Sequence, residues 1–225
     1  LRLHDIRAEH VRAENRDGLV ETTSGGELDS RDKLAARIAL VLDLSENLEA
    51  DYRFDYTKID QLPPHNQLAW IRPEAAPFPT LVQLFTAAAA YASSTRQETA
   101  SINFPAFENL KLRGHGLTLT WDINEHNTLK SITSRRTLDN HDSVDLDGVP
   151  LTIATAERIS DYEQQSQELQ WVGSSDRFNW VVGLYYYEDD GYTINPHVFF
   201  FGTDSSQYGF GAEAKSAYGQ LDWHV

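Results

Sequence analysis

The sequence contains no cysteine and no methionine among its 225 residues. Without thiols, a disulfide scaffold, a thiolate metal centre and a cysteine nucleophile are all excluded, while an oxidising compartment stays open. Because Leu1 opens the chain and methionine is missing altogether, the expectation is a segment cut from something longer. Bases are scarce as well: 19 Lys and Arg stand against 34 Asp and Glu, a formal charge of −15. Phosphate backbones are bound through basic stripes, and none is visible, so nucleic acid is not an expected partner. Nor does any apolar run approach the roughly 18 to 20 residues of a membrane-spanning helix. With mean hydropathy at −0.48 the chain looks water-soluble by window averages, although that excludes helical membrane proteins only.

What is present is alternation. Apolar residues recur at every second position over Leu34, Ala36, Ile38, Leu40, Leu42 and Leu44, and over Leu48, Ala50, Tyr52, Phe54 and Tyr56. The same holds for Leu117, Leu119, Trp121 and Ile123, for Phe178, Trp180, Val182, Leu184 and Tyr186, and for Ala217, Gly219, Leu221, Trp223 and Val225. Weaker versions run over Leu1 to Glu14, Thr128 to Asn140 and Tyr162 to Val172. Period two is the mark of a strand with unlike faces, and eight strands are expected. Short polar turns fall at Ser45-Glu46-Asn47, Asn124 to Asn127 and Ser174 to Arg177; long segments occupy about 15–31, 61–108, 141–160 and 190–211.

Long and short connections therefore alternate in chain order. An up-and-down antiparallel meander with tight turns at one end and long loops at the other produces that order, as in a transmembrane β-barrel. About ten residues at roughly 3.4 Å each, tilted by about 45°, rise about 24 Å, close to the roughly 25 Å apolar band of such barrels. Trp121, Trp171, Trp180 and Trp223 lie near proposed tight turns, where an aromatic girdle belongs. Tyr52, Tyr56, Tyr185, Tyr186 and Tyr187 are assigned to the other girdle. If so, Leu40, Phe54, Leu119, Val182 and Leu221 share one face, with Arg53, Asp55, Thr120 and Gln220 on the other.

Chemistry-bearing motifs are few. Asp139, Asp142, Asp145, Asp147 and Gly148 imitate a calcium loop, but the EF-hand register puts Ser143 first and Ala154 at the bidentate position, so a solvated acidic loop is expected. Glu188-Asp189-Asp190-Gly191 reads as an acidic strand end opening a loop. His4, His10, His65, His115, His126, His141, His197 and His224 show no paired metal-ligand spacing. Gly209-Phe210-Gly211 precedes a strand, which defeats a dinucleotide fingerprint. The 61–108 segment carries Pro63, Pro64, Pro73, Pro77 and Pro79, then a short helix expected over Thr80 to Ala92. No catalytic, cofactor or metal residue is assigned, an enzyme is not expected, and ligand-binding residues stay unassigned.

Several stretches resemble the barrel of TonB-dependent outer-membrane receptors of the iron-complex or siderophore type. They are Asp51-Tyr-Arg-Phe-Asp-Tyr-Thr-Lys-Ile-Asp60, Leu117-Thr-Leu-Thr-Trp-Asp-Ile-Asn124 with Leu129-Lys-Ser-Ile-Thr-Ser134, Ser166-Gln-Glu-Leu-Gln170, Trp180-Val-Val-Gly-Leu-Tyr-Tyr-Tyr187 and Ala217-Tyr-Gly-Gln-Leu221. The resemblance implies a 22-stranded barrel occluded by a plug, moving iron chelates or other scarce solutes with energy from the TonB system. On that basis residues 1–225 are an internal piece of the barrel, about a third of it, with the plug absent. The implied setting is the outer membrane of a Gram-negative bacterium. The implied partners are outer-membrane lipid, the TonB system acting through a plug outside this chain, and an iron chelate or other small ligand. Two alternatives remain: a self-contained eight-stranded barrel, which would pair residues 1–12 with 214–225, and a secreted soluble β-sandwich binding module.

Overall fold

The computed structural model describes residues 2–224, with side chains from residue 11 onward. In chain order the elements are β1 (Arg2–Arg16), β2 (Val20–Thr22), β3 (Glu27–Leu28), β4 (Arg31–Ser45), β5 (Leu48–Gln61), a 3-10 turn (Pro73–Ala75) and α1 (Pro79–Ala89), then β6 (Thr99–Ala100), β7 (Phe107–Asn124), β8 (Asn127–Asp145), β9 (Ala154–Ser174), β10 (Phe178–Phe199) and β11 (Gly202–Trp223). Eight of these strands form one sheet in the order β1-β4-β5-β7-β8-β9-β10-β11. Every pairing in it is antiparallel and joins strands that follow one another in the chain once the short β2, β3 and β6 of the connections are set aside, the meander expected from the alternation. A second, three-stranded sheet, β3-β2-β6, lies in the long connections.

Among the described residues β1 pairs only with β4 and β11 only with β10, so the sheet is open. Among the described residues, the pairing of 1–12 with 214–225 that a self-contained eight-stranded barrel needs is not seen. A soluble sandwich fares no better. Leu184, Leu221 and Trp223 are 58%, 64% and 66% exposed on a face that no second sheet covers, whereas a sandwich buries that face.

Direct partners across a ladder project to the same side, so register assigns the faces. Leu48 pairs with Trp121, Trp121 with Leu129, Leu129 with Trp171 and Trp171 with Val182. Leu40, Phe54, Leu119, Val182 and Leu221 all belong to this tryptophan face. Arg53, Asp55, Thr120 and Gln220 belong to the polar face, as the alternation predicts. Tyr185 and Tyr187 also fall on the polar face; assigning them to a girdle was wrong, because only Tyr186 of three consecutive tyrosines can share the face of Val182.

The apolar stripe crosses the sheet obliquely. One row of direct partners is Leu42, Ala50, Leu119, Ser131, Leu169, Leu184 and Ala217. On β11 the apolar run stops at Ala217, but on β4 it continues to Leu34, eight residues beyond Leu42. Toward the tight turns the offset reverses, with Trp223 six residues past Ala217 and the β4 run ending at Leu44.

The strands are longer than the expected ten residues, reaching 22 in β10 and β11. Residues 190–211, expected as a long loop, are strand except for Phe200 and Phe201. Glycines at 191, 202, 209 and 211 and Pro196 supply loop composition, yet the β10–β11 ladder runs unbroken from Phe178↔Trp223 to Phe199↔Gly202. Pro196 sits in a gap of the β9 ladder, between Ile194↔Ile159 and His197↔Ala156, where a missing N–H costs no bond. Phe200 has φ 57°, unusual for a bulky residue. Its N–H donates to the Ile153 carbonyl at 2.6 Å and its ring lies 6.0 Å from that of Phe85. Helix α1 starts on Pro79 at its first turn, where no intrahelical N–H is needed. It seats Ala88 against Val149 and Ile153.

Candidate functional site

Among the described residues the polar face, opposite the tryptophans, carries a dense assembly of interacting charged and aromatic side chains. It has two halves. On β5 to β8, Asp55, Gly114 and Arg136 form one row of direct partners. A Cβ on Gly114 would collide with the Asp55 carboxylate, so the bare backbone lets that carboxylate lie across β7 and reach Arg136 at 3.6 Å. Next to it, Arg53 pairs with Asp51 at 2.8 Å. Guanidinium groups thus stand on this half, each with a carboxylate beside it.

On β9 to β11 the face turns aromatic and acidic. The Tyr187 hydroxyl donates to Asp189 at 2.7 Å and that of Tyr162 to the same oxygen at 3.3 Å. The other Asp189 oxygen accepts the Ala212 N–H at 2.7 Å. The Phe210 ring stacks on Tyr162 at 5.8 Å, over Gly191. Lower down, Tyr218 donates to Glu168 at 2.5 Å and Gln170 donates to the same oxygen at 2.9 Å. Ser134 and Ser166 bridge the halves at 2.7 Å. Two aromatic rings of this half lie directly opposite glycine, Tyr218 on Gly183 and Phe210 on Gly191, and on the tryptophan face Trp180 lies opposite Gly173 in the same way. In each case a Cβ would meet the ring, so the absent side chain forms the slot that holds it.

The expected acidic motifs behave otherwise than expected. Glu188-Asp189-Asp190-Gly191 opens no loop; it lies inside β10, with Asp189 as the hub just described. Asp145 and Asp147 are not a solvated pair. Asp147 accepts the N–H groups of Val149, Ile153 and Ala154, at 3.0, 3.1 and 2.7 Å, and so closes the 146–153 turn. Asp145 is buried and accepts the Gly148 N–H at 2.8 Å, with Gly148 at φ 68°. This end is tied to the preceding long connection, because Asn66 donates to the Asp145 carbonyl and Ser143 to that of Pro105.

Burial pushes the Asp145 carboxyl up to about 6, opposed by the Gly148, Asn103 and Phe104 N–H groups and reinforced by the Asp147 charge. The folded protein therefore favours the neutral acid. Its contribution is intact below about pH 4 and is lost as pH rises through about 6. Asp145→Asn keeps an acceptor for Gly148 and removes the charge. Limited proteolysis of the 62–106 connection, faster at neutral than at acidic pH in the wild type, is expected to become pH-independent and slow in the variant. Cleavage of the variant that still speeds up at neutral pH would refute this.

Histidines have local duties. His115 exchanges a 2.8 Å hydrogen bond with Tyr52, His141 meets Glu157 at 2.5 Å, and His224 meets Asn179 at 2.9 Å. Burial lowers the His65 pKa, with a Gln97 hydrogen bond opposing. The side chains of His4 and His10 lie outside the described residues.

The sequence matches no family model and no curated protein. Among solved structures the likeness is plain. It shares its fold with a receptor. The ferric yersiniabactin uptake receptor FyuA from Yersinia pestis superposes with a TM-score of 0.62 over 96% of this chain, at 14% identity. The chain spans 31% of that receptor's length. At this identity the likeness concerns fold alone. The polar-face residues were not legible beforehand: Tyr162, Tyr187, Asp189 and Phe210 come from three strands, and only register brings them together.

Proposed function

We propose that this chain is part of the wall of an outer-membrane, TonB-dependent transporter for an iron chelate or a similarly scarce solute. The observation that carries the reading is the exposed tryptophan face backed by a polar one. Water offers no reason to keep Leu184, Leu221 and Trp223 uncovered; lipid does. The obliquity of the stripe supports it quantitatively. A drift of eight residues, about 27 Å along the strands, over six strand spacings, about 29 Å, corresponds to a tilt of about 43°, within the roughly 35–45° of transmembrane barrels. The polar face then lines the lumen, where paired guanidinium groups and hydrogen-bonded tyrosines suit a polar solute. In this reading further strands and a plug, which would link to the TonB system, belong to the rest of the protein.

Two measurements test it. In membranes holding the whole receptor, lipids brominated near the headgroup on the tight-turn side should quench Trp121, Trp171, Trp180 and Trp223. Absence of quenching removes the membrane assignment. Deleting the gene should abolish energy-dependent uptake of one member of a panel of ferric chelates, and unchanged uptake of every member would turn the search to other scarce solutes.

A further inference from the structure

Beyond the stripe, on the tryptophan face, the first charged residue on seven successive strands is Asp32, Lys58, Arg113, Arg135, Glu163, Glu188 and Lys215. Four of these are bases in a chain where acids prevail by 34 to 19. All four bases are ion-paired, and every pair is oriented alike. Lys58 pairs with Asp60 at 3.0 Å, Arg113 with Asp139 at 3.9 Å, Arg135 with Glu163 at 2.8 Å, and Lys215 with Glu213. By register each acid stands one same-face position farther from the stripe than its base: Asp139 is level with Lys111, Glu163 with Thr137, and Glu213 with Glu188. The base is therefore always on the stripe side.

These side chains remain accessible, 40%, 46%, 58% and 73% exposed for Lys58, Arg113, Arg135 and Lys215. Lys215 is steadied by the Tyr186 ring, 5.5 Å away. The opposite edge of the stripe lacks such a row, its turns carrying Glu46, Glu125 and Asp176 against Arg177. Four cations directed at one boundary of an apolar band, each backed by an acid, match a layer of anions at that boundary. Guanidinium forks and ammonium groups both take phosphate oxygens.

We propose that this edge is a recognition belt for phosphate-bearing lipid headgroups of the leaflet beside the long connections, with Lys58, Arg113, Arg135 and Lys215 as its contacts. The inference rests on the membrane reading above and adds a lipid preference to it. The backing acids hold the bases in place when no headgroup is bound. They also let each base turn from carboxylate to phosphate without leaving the edge.

The test uses the whole receptor in vesicles of phosphatidylcholine, with dansyl-labelled phosphatidic acid or dansyl-labelled phosphatidylcholine as a trace acceptor of tryptophan fluorescence. Wild type should enrich the phosphatidic acid probe about threefold or more at low salt. Combined Lys58→Gln, Arg113→Gln, Arg135→Gln and Lys215→Gln should bring the ratio to about one. Neutralising the backing acids instead, with Asp60→Asn, Asp139→Asn, Glu163→Gln and Glu213→Gln, should raise it, and this variant serves if the first fails to fold. Enrichment that survives loss of the bases overturns the proposal, as does a fall on loss of the acids. Complete displacement by millimolar inorganic phosphate would overturn it in favour of a free-anion site. Quenching by brominated lipid without any phosphatidic acid preference defeats the belt alone; absence of quenching defeats the membrane reading with it.

Discussion

Val182→Arg is expected to destabilise the folded receptor in a bilayer by about 2–4 kcal/mol, the cost of a cation near the middle of a barrel's lipid face. Val182 is 46% exposed and central in the β10 run from Phe178 to Tyr186. In water a substitution at so exposed a site would stay within about 0.5 kcal/mol. The size of the effect, beyond its sign, therefore decides between the environments. Gln220→Arg is the control, since Gln220 pairs with Val181 on the polar face and should tolerate the charge. Reversible denaturant titrations in lipid vesicles measure both. Equal costs for the two variants would mean that the tryptophan face does not meet lipid.

Gly183→Val should cost about 1–3 kcal/mol through overpacking, and the loss should be visible in Tyr218. The added Cβ meets the end of the Tyr218 ring, which must leave its slot and surrender the 2.5 Å hydrogen bond to Glu168. Because the ring is the obstacle, Tyr218→Ala should relieve most of the penalty. A double-mutant cycle should therefore give a coupling of about 0.5–3 kcal/mol between the two positions. Strict additivity would show that the strain lies in the backbone of β10 instead.

Which parts of this fold could be read from sequence follows from what each residue must touch. In β5, every apolar residue from Leu48 to Tyr56 faces one way and every charged residue the other, so both strand and face are evident from spacing. Past the stripe that constraint vanishes. Lys58, Lys111, Asp139 and Asp161 occupy the same face as Trp121, yet nothing in their chemistry announces a strand. Hydrogen bonding of the backbone continues there regardless of side-chain polarity, and the alternation stops at the stripe while the ladder does not. Asp145 and Asp147 misled for a related reason: acidity points to solvent unless the backbone N–H groups that a turn leaves free are counted. The Asp55–Arg136 pair depended on the absence of a side chain at Gly114, and a missing atom carries no pattern.

The length of β10 and β11 has a mechanical meaning. From Glu188 to Phe199 the sheet extends about 40 Å beyond the stripe, with β9 paired alongside to Ala154. β8 continues beside β9 to Asp145↔Thr155 and β7 beside β8 to Phe107↔Ser143, so this is a broad wall that resists stretching along its strands, fastened at Phe200 to Ile153 and Phe85. Neighbouring strands brace the β10–β11 pair on one side, and α1 grips its tip through the Phe85 ring. A load applied to the connection bearing α1 is shared between strands through cross-strand hydrogen bonds, among them those that tie Tyr162 of β9 and Ala212 of β11 to Asp189 of β10.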